Sequence, residues 1–516
     1  MLHRRSMLAA SIAAASLHGH AAQADPDTRP VLRVAVQALP ATLEPIESIS
    51  NVGLRITDNV FDPLIRRDFL AEAKSGGSHL VPGLATELVQ RDPLTWVATL
   101  RPDVRLHDGG TLTADDVVAT FAPDRMWGPK APFAEGRIAF GHLAEVVAEG
   151  KQTVVFRTKV PDVVMPKRLA AYCGWIGSKA YLETAGLAGM RQRPIGTGPY
   201  RVREFQRDQR VVLDSFDDHW MGRPPARQII FTVVPEASAR LAGLQSGDFD
   251  IVTSLLPDQI PALAGDRRLE AVSVPLDFAH ILYYDTRRPV LRDPRVRQAL
   301  NFAVDYDLLG HSLWGAGYQR MAALQLPSFG DLYDAGRRGF TYDPDRSRRL
   351  LAEAGYKGEE IVLRIPHDYY LNLLPAAQIV QEMWRVVGVP TRLDVIESVA
   401  MLTDPGADVR ATSVAFRFAD PLGGGLMVHL AKGYFIQSQG FWTPGRFNAI
   451  SDALRAATDP AERKRLWLAL LDEYEAEAPA LILYPVQEVI GKRRSVGFTH
   501  YPLYYFDGRA YNLSFA

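Results

Sequence analysis

The chain has 516 residues, 47% of them apolar and 23% charged, with a formal net charge of −1. That length exceeds what one hydrophobic core organises, so two or more domains are expected. The near-neutral balance offers no basic excess to pair with phosphates, which argues against nucleic-acid binding.

The first element is a leader. His3, Arg4 and Arg5 form a basic start, and residues 7–17 are a short apolar run rich in alanine. The run is too short to span a bilayer as a helix. Ala22-Gln23-Ala24 then supplies a small-x-small cleavage site. Residues 1–24 therefore read as a secretory signal peptide, with Asp25 as the first mature residue. The Arg4-Arg5 pair fits either a twin-arginine signal or a plain basic start. Cys173 is the single cysteine, so no intramolecular disulfide forms, and no cysteine follows the apolar run to carry a lipid anchor. No later segment reaches the roughly 18 apolar residues of a membrane span.

Strand-like and helix-like segments then alternate. Residues 31–36, 95–100, 153–156, 210–213, 229–234, 361–365 and 411–416 alternate or run apolar as strands do. Helix starts are marked by caps. Thr113 precedes Ala114-Asp115-Asp116, with acids at the positive end of the dipole. Asp293-Pro294, Asp343-Pro344 and Asp459-Pro460 each place an acid at the cap and a proline at the first helical position. Gly355 is placed to end the second of these. In the third, Leu466, Trp467, Leu470, Leu471 and Tyr474 form one apolar stripe that Pro479 stops.

Catalytic motifs are absent from the sequence. There is no His-Glu-x-x-His helix, no Cys-x-x-Cys pair, no Gly-x-Ser-x-Gly elbow and no Gly-x-x-x-x-Gly-Lys loop. Cys173 reads as a small buried hydrophobe. His280, His311, His367 and His429 have no metal-ligand spacing, and only convergence in space would make them a site.

The ordered motifs carry a resemblance. Leu32-Arg33-Val34-Ala35 precedes Thr42-Leu43-Glu44-Pro45, then Asn59-Val60-Phe61-Asp62-Pro63-Leu64 and Leu80-Val81-Pro82-Gly83-Leu84-Ala85. His107-Asp108-Gly109 leads into Leu112-Thr113-Ala114-Asp115-Asp116-Val117. Gly196-Thr197-Gly198-Pro199-Tyr200, Leu244-Gln245-Ser246-Gly247-Asp248, Asp293-Pro294-Arg295-Val296-Arg297-Gln298-Ala299-Leu300 and Ala354-Gly355-Tyr356 follow. In this order the chain resembles the family 5 extracellular solute-binding proteins, the peptide, dipeptide and nickel-binding group of ABC importers. The motifs specify scaffold more than ligand.

The resemblance implies an α/β, two-lobed periplasmic-binding-protein fold with an extra N-terminal subdomain and a ligand cleft between lobes joined by two crossings. Lobe I is expected from residues 25–56, 190–273 and 485–516, its additional subdomain from 57–189, and lobe II from 274–484. The crossings fall near 272–284 and 481–489. The implied protein is a monomer in the periplasm that serves the permease of an ABC importer, with no cofactor, no resident metal and no catalysis. Its ligand is a short peptide or peptide-like solute. A nickel-complex or haem carrier is the alternative within the fold, and a secreted hydrolase the alternative outside it.

Family members that take peptides hold the amino group with an acid. In the stretch 416–421, Asp420-Pro421 matches the family's Asp-Pro pair, and the acid's place falls at Arg417. A one-residue shift gives the role to Asp420 instead. The arginine that meets a peptide carboxylate is replaced by His367, with Tyr369 in the adjoining tyrosine place. Two readings of Arg417 stand: it binds an anionic group of the ligand, assisted by amides of Gly423-Gly424-Gly425, or it pairs with an acid of the protein. Ser50 and Asn51 in the 48–51 loop, with the aromatic residues Tyr369, Tyr370 and Trp442, complete the expected ligand-binding set.

Overall fold

The computed structural model describes residues 27–367, 370–426 and 444–516. The leader, Tyr369 and Trp442 lie outside the described residues. All the segments expected to be strands form, with ends shifted by at most two residues.

Ten strands make the large sheet: β1 (Val31–Val36), β2 (Tyr200–Gln206), β3 (Arg210–Ser215), β4 (Gln228–Val233), β5 (Ile251–Val252), β6 (Leu269–Tyr284), β7 (Ile361–Pro366), β8 (Thr391–Ile396), β9 (Val409–Ala415) and β10 (Ala480–Arg493). Their spatial order is β8-β7-β9-β6-β10-β5-β1-β4-β3-β2. β1 runs parallel to β4 and β5, and β7 parallel to β8 and β9. The long strands β6 and β10 pair antiparallel at the centre and join the two halves of the sheet. Residues 85–158 also contribute a separate antiparallel sheet of four strands.

The Asp-Pro helix starts form as the side-chain chemistry requires. The Asp293, Asp343 and Asp459 carboxylates accept from the amides of Arg295, Arg346 and Glu462, each at 2.8 Å. Gly355 takes the left-handed conformation at φ 73°. Helix Pro460–Glu477 buries Leu466, Trp467, Leu470, Leu471 and Tyr474, and ends at a left-handed Ala478 before Pro479.

One core gathers the N-terminal residues with Val496, Phe498, Tyr501 and Phe506 of the tail. Two others lie within residues 279–482 and 282–484; the first of these also takes Val164 and Ala171 from the N-terminal half. The glycines of the 196–200 turn are fixed by space. A Cβ on Gly196 would meet the Val60 carbonyl oxygen at 2.2 Å, and one on Gly198 the Asn59 carbonyl oxygen at 2.5 Å. The turn is thus pressed against helix Leu54–Val60.

Candidate functional site

The β6–β10 ladder breaks its register between Pro275 and Ala279. Proline has no amide to give to a ladder, so a bulge is favoured there. The bulge frees the backbone of Asp277 for other partners. Its amide donates to the Pro502 carbonyl at 2.6 Å, and its carbonyl accepts from the Phe416 amide at 2.9 Å. Its carboxylate accepts from Arg67 at 2.7 Å. One residue in the crossing strand thus touches the tail, the end of β9 and the N-terminal half. Arg67 also pairs with Glu72 at 2.8 Å and lies over the Phe69 ring, 4.6 Å from its centroid. Burial pushes the Asp277 carboxyl up, with Arg67 opposing. Burial works against the charge of Arg67, but Asp277 and Glu72 more than offset it and raise the guanidinium.

Beside this bulge a cavity of about 890 Å³ opens between the halves. Its walls include Phe69, Asp277 and His500 on one side and Tyr306 and Arg320 on the other. The Arg320 guanidinium donates to the Phe340 carbonyl and sits 4.2 Å from the Tyr306 ring centroid. His500 is 6% exposed, and neither ring nitrogen has a hydrogen-bond partner among the described residues. Burial, aided by Arg55, pushes His500 down to about 3, which keeps the ring neutral. A much smaller pocket shares Arg67 and Phe69 with the cavity and is lined further on by Lys167, Arg417 and Phe418.

At Arg417, one of the residues lining that small pocket, the halves are tied by charge. Arg417, beyond the end of β9, donates Nε and Nη2 to the two carboxylate oxygens of Glu135 at 2.7 and 2.8 Å. Glu135 stands in the first turn of helix Ala134–Phe140, far away in sequence. Burial works against the Arg417 charge, and Glu135 overcomes this and raises it. The third nitrogen, Nη1, is buried with no hydrogen-bond partner among the described residues. Lys167 donates to the Ala419 carbonyl at 2.7 Å and lies 3.7 Å from Asp420. Burial pulls the Lys167 ammonium down, with Asp420 opposing.

The residues singled out in the sequence fall at separate places. Of the two readings of Arg417, pairing with a protein acid is realised, through Glu135. Both oxygens of Asp420 accept from Arg463 at 2.9 Å, and one also accepts from the Leu422 amide at 3.0 Å. Asp420 thereby fixes its own loop. The glycine run does not offer all its amides to an anion: those of Gly423 and Gly424 are spent on the carbonyls of Asp420 and Pro421. Ser50 uses its hydroxyl on the Ser48 carbonyl and the Gly53 amide, and Asn51 beside it is half-buried. His367 is exposed at the end of β7, where its amide donates to Ile396. Tyr370 packs edge-on against His280, 5.3 Å between centroids. None of these lines the large cavity.

His280 is buried between Tyr370 and Tyr484 and pushed down to about 3 by burial. His311 lies against Tyr318. Among the described residues no group of three His, Cys, Asp or Glu side chains is arranged to hold a metal ion. His429 lies outside those residues. Cys173 is buried, and burial pushes its thiol up, away from reactive thiolate. The residues that sequence reasoning missed are Arg67, Lys167, Glu135, Arg320 and His500. Asp277 had a signal: it is a lone charge inside the apolar run expected to cross between the halves.

A family model described as bacterial extracellular solute-binding proteins, family 5 Middle, matches residues 79–425. The chain belongs to this family. The family is one of solute-binding proteins, not of enzymes. The "Dipeptide-binding protein" of Escherichia coli (strain K12) is 30% identical over 357 residues, 64% of this chain and 66% of that protein. The "Probable di/tripeptide-binding protein 5" of Pseudomonas aeruginosa is 28% identical over 397 residues, 72% of this chain and 74% of that one. The chain thus matches about two thirds to three quarters of these relatives' lengths. Among solved structures, the ABC transporter-associated periplasmic binding protein DppA of Helicobacter pylori, in complex with the peptide STSA, superposes with a TM-score of 0.81 at 20% identity. That superposition covers 94% of this chain and 98% of the other. The α/β, two-lobed family 5 fold expected from the motifs is therefore the fold of this chain.

Proposed function

We propose that this protein is a periplasmic substrate-binding protein that captures a short peptide or peptide-like solute between its halves and delivers it to the permease of an ABC importer. The observation that carries this reading is the cavity of about 890 Å³ between halves joined through the β6–β10 ribbon. Its size lies at the upper end for small-ligand sites, and its wall mixes aromatic faces with charged groups of both signs, Asp277, Asp305 and Asp307 beside Arg67, Arg320 and Arg337, which suits a solute with charged ends. The dipeptide-binding relatives support a peptide over other solutes. In this reading residues 25–56, 190–273 and 485–516 form lobe I, residues 57–189 its subdomain, and residues 274–484 lobe II, and closure bends the bulge at Asp277. The protein acts as a monomer without catalysis. The basic, apolar and Ala22-Gln23-Ala24 segments of the leader direct export.

The test is thermal unfolding of the mature protein after ligand has been stripped by partial unfolding and dialysis. The panel holds di- to pentapeptides, nickel-histidine and haem. A ligand at a thousandfold its Kd adds about 4 kcal/mol, a shift of several degrees. A shift with peptides and with neither metal compound is the expected result. A shift with haem or nickel alone would replace the peptide reading by that of a metal carrier. Cleavage of the peptides during incubation would turn it into a hydrolase.

A further inference from the structure

Arg417 is 8% exposed, and the one carboxylate paired with it among the described residues comes from the opposite half of the molecule. The Glu135 side chain is 31% exposed, so it leaves the pair at lower cost than Arg417 does. A buried guanidinium without an anion is unfavourable, so some acceptor must hold Arg417 whenever the halves are closed. Nη1 remains unspent among the described residues, so the guanidinium retains a donor beyond the two that Glu135 occupies. The same small pocket is lined by Lys167 and Arg67, two further cations. Planar, forked recognition of this kind suits a carboxylate.

We propose that Glu135 is a built-in stand-in for an anionic group of the solute: it latches Arg417 across the empty cleft and is displaced when a carboxylate of the ligand arrives. This rests on the reading of the chain as a solute-binding protein, and it names the ligand class as one bearing a carboxylate near Arg417. Competition with an internal carboxylate lowers the apparent affinity for the ligand by the fraction of molecules already latched. Removing the negative charge of Glu135 therefore strengthens binding of a ligand that presents a carboxylate to Arg417 and does nothing for one that lacks it. It also removes the tie between the empty halves.

Two measurements test this on the full mature chain. The first is the radius of gyration of the stripped protein by small-angle X-ray scattering, wild type against Glu135→Gln and Arg417→Gln. Both variants are expected to be more extended than wild type; equal radii in all three overturn the latch without touching the solute-binding reading. The second is calorimetric titration with tri-alanine and with its C-terminal amide. Glu135→Gln is expected to bind the free acid roughly tenfold tighter than wild type and the amide unchanged, with the preference for the acid lost in Arg417→Gln. Weaker binding of the acid by Glu135→Gln, or equal binding of acid and amide by all proteins, overturns displacement. Binding of neither form by any of the three, with folding confirmed by circular dichroism, overturns the peptide reading together with the inference built on it.

Discussion

Arg67 and Asp277 meet at 2.7 Å, one from the N-terminal half and the other from the bulge in the strand that leads out of it. Both side chains are buried, so the pair is worth most as a constraint. Removing one partner strands the other without water. Asp277→Ala is expected to lose about 3 kcal/mol of stability in urea, the cost of an uncompensated buried charge shared in part by Glu72. Asp277→Asn keeps the shape and still accepts a hydrogen bond, so it should lose less. Equal losses in the two variants would show that packing, not charge, holds the bulge.

Stability should fall steeply on acidification. His107 is pushed down to about 4, and His280 and His500 to about 3, chiefly by burial. In the unfolded chain each returns to an ordinary value near 6.5. Below that value the unfolded state binds more protons than the folded one, so stability is full above pH 6.5 and declines as the pH falls toward 4. Each histidine contributes up to about 1.4 kcal/mol per pH unit, so the three approach about 4 kcal/mol per unit between pH 6 and 4. Urea unfolding at half-unit steps reads the slope. His500→Gln should flatten it by about one third, and an unchanged slope would mean that His500 is solvated in the folded protein.

Asp420 tests where structure ends and recognition begins. Its carboxylate is held by Arg463 and by the Leu422 amide. Asp420→Asn is expected to cost about 2 kcal/mol of stability while ligand affinity stays within about threefold. An affinity loss of a hundredfold with stability intact would make Asp420 a ligand anchor instead.

Cys173 should be inert in the native state. Its thiol is buried and raised by that burial. Ellman's reagent at pH 8 is expected to find no thiol in the folded protein and one after denaturation. Rapid reaction of the native protein would place the 172–174 turn at the surface.

Most of the scaffold was legible because local chemistry and tertiary packing agree. The Asp-Pro dipeptides at 293, 343 and 459 cap helices where an amphipathic run follows them, and the alternating runs become strands because one face meets a core. The stretches 272–284 and 481–489 also form strands, β6 and β10, since buried strands read as largely apolar runs. The site was not legible to the same degree. Arg417 was visible as a charge in an unexpected place, but its partner Glu135 lies on a helix in the other half, and no spacing rule joins them. Asp420 looked like a candidate anchor because its later partner, Arg463, is a helix residue like any other in sequence. Arg320 and His500 carried no local mark. They line the cavity through folding of the 318–342 loop and the tail, and such convergence is a property of the whole chain.

The position of β10 has a consequence for the order in which the molecule can be completed. It lies between β5 and β6, at the middle of the sheet, yet it is supplied by residues 480–493. Until that stretch has been made, β5 has an open edge and β6 lacks its neighbour on one side, so neither half can finish its share of the sheet alone. A chain stopped after helix Pro460–Glu477 would lack a central strand rather than a dispensable tail, and its two unpaired edges would invite association with other chains. Folding of this protein is therefore tied to the arrival of β10, whatever stability the earlier parts have on their own.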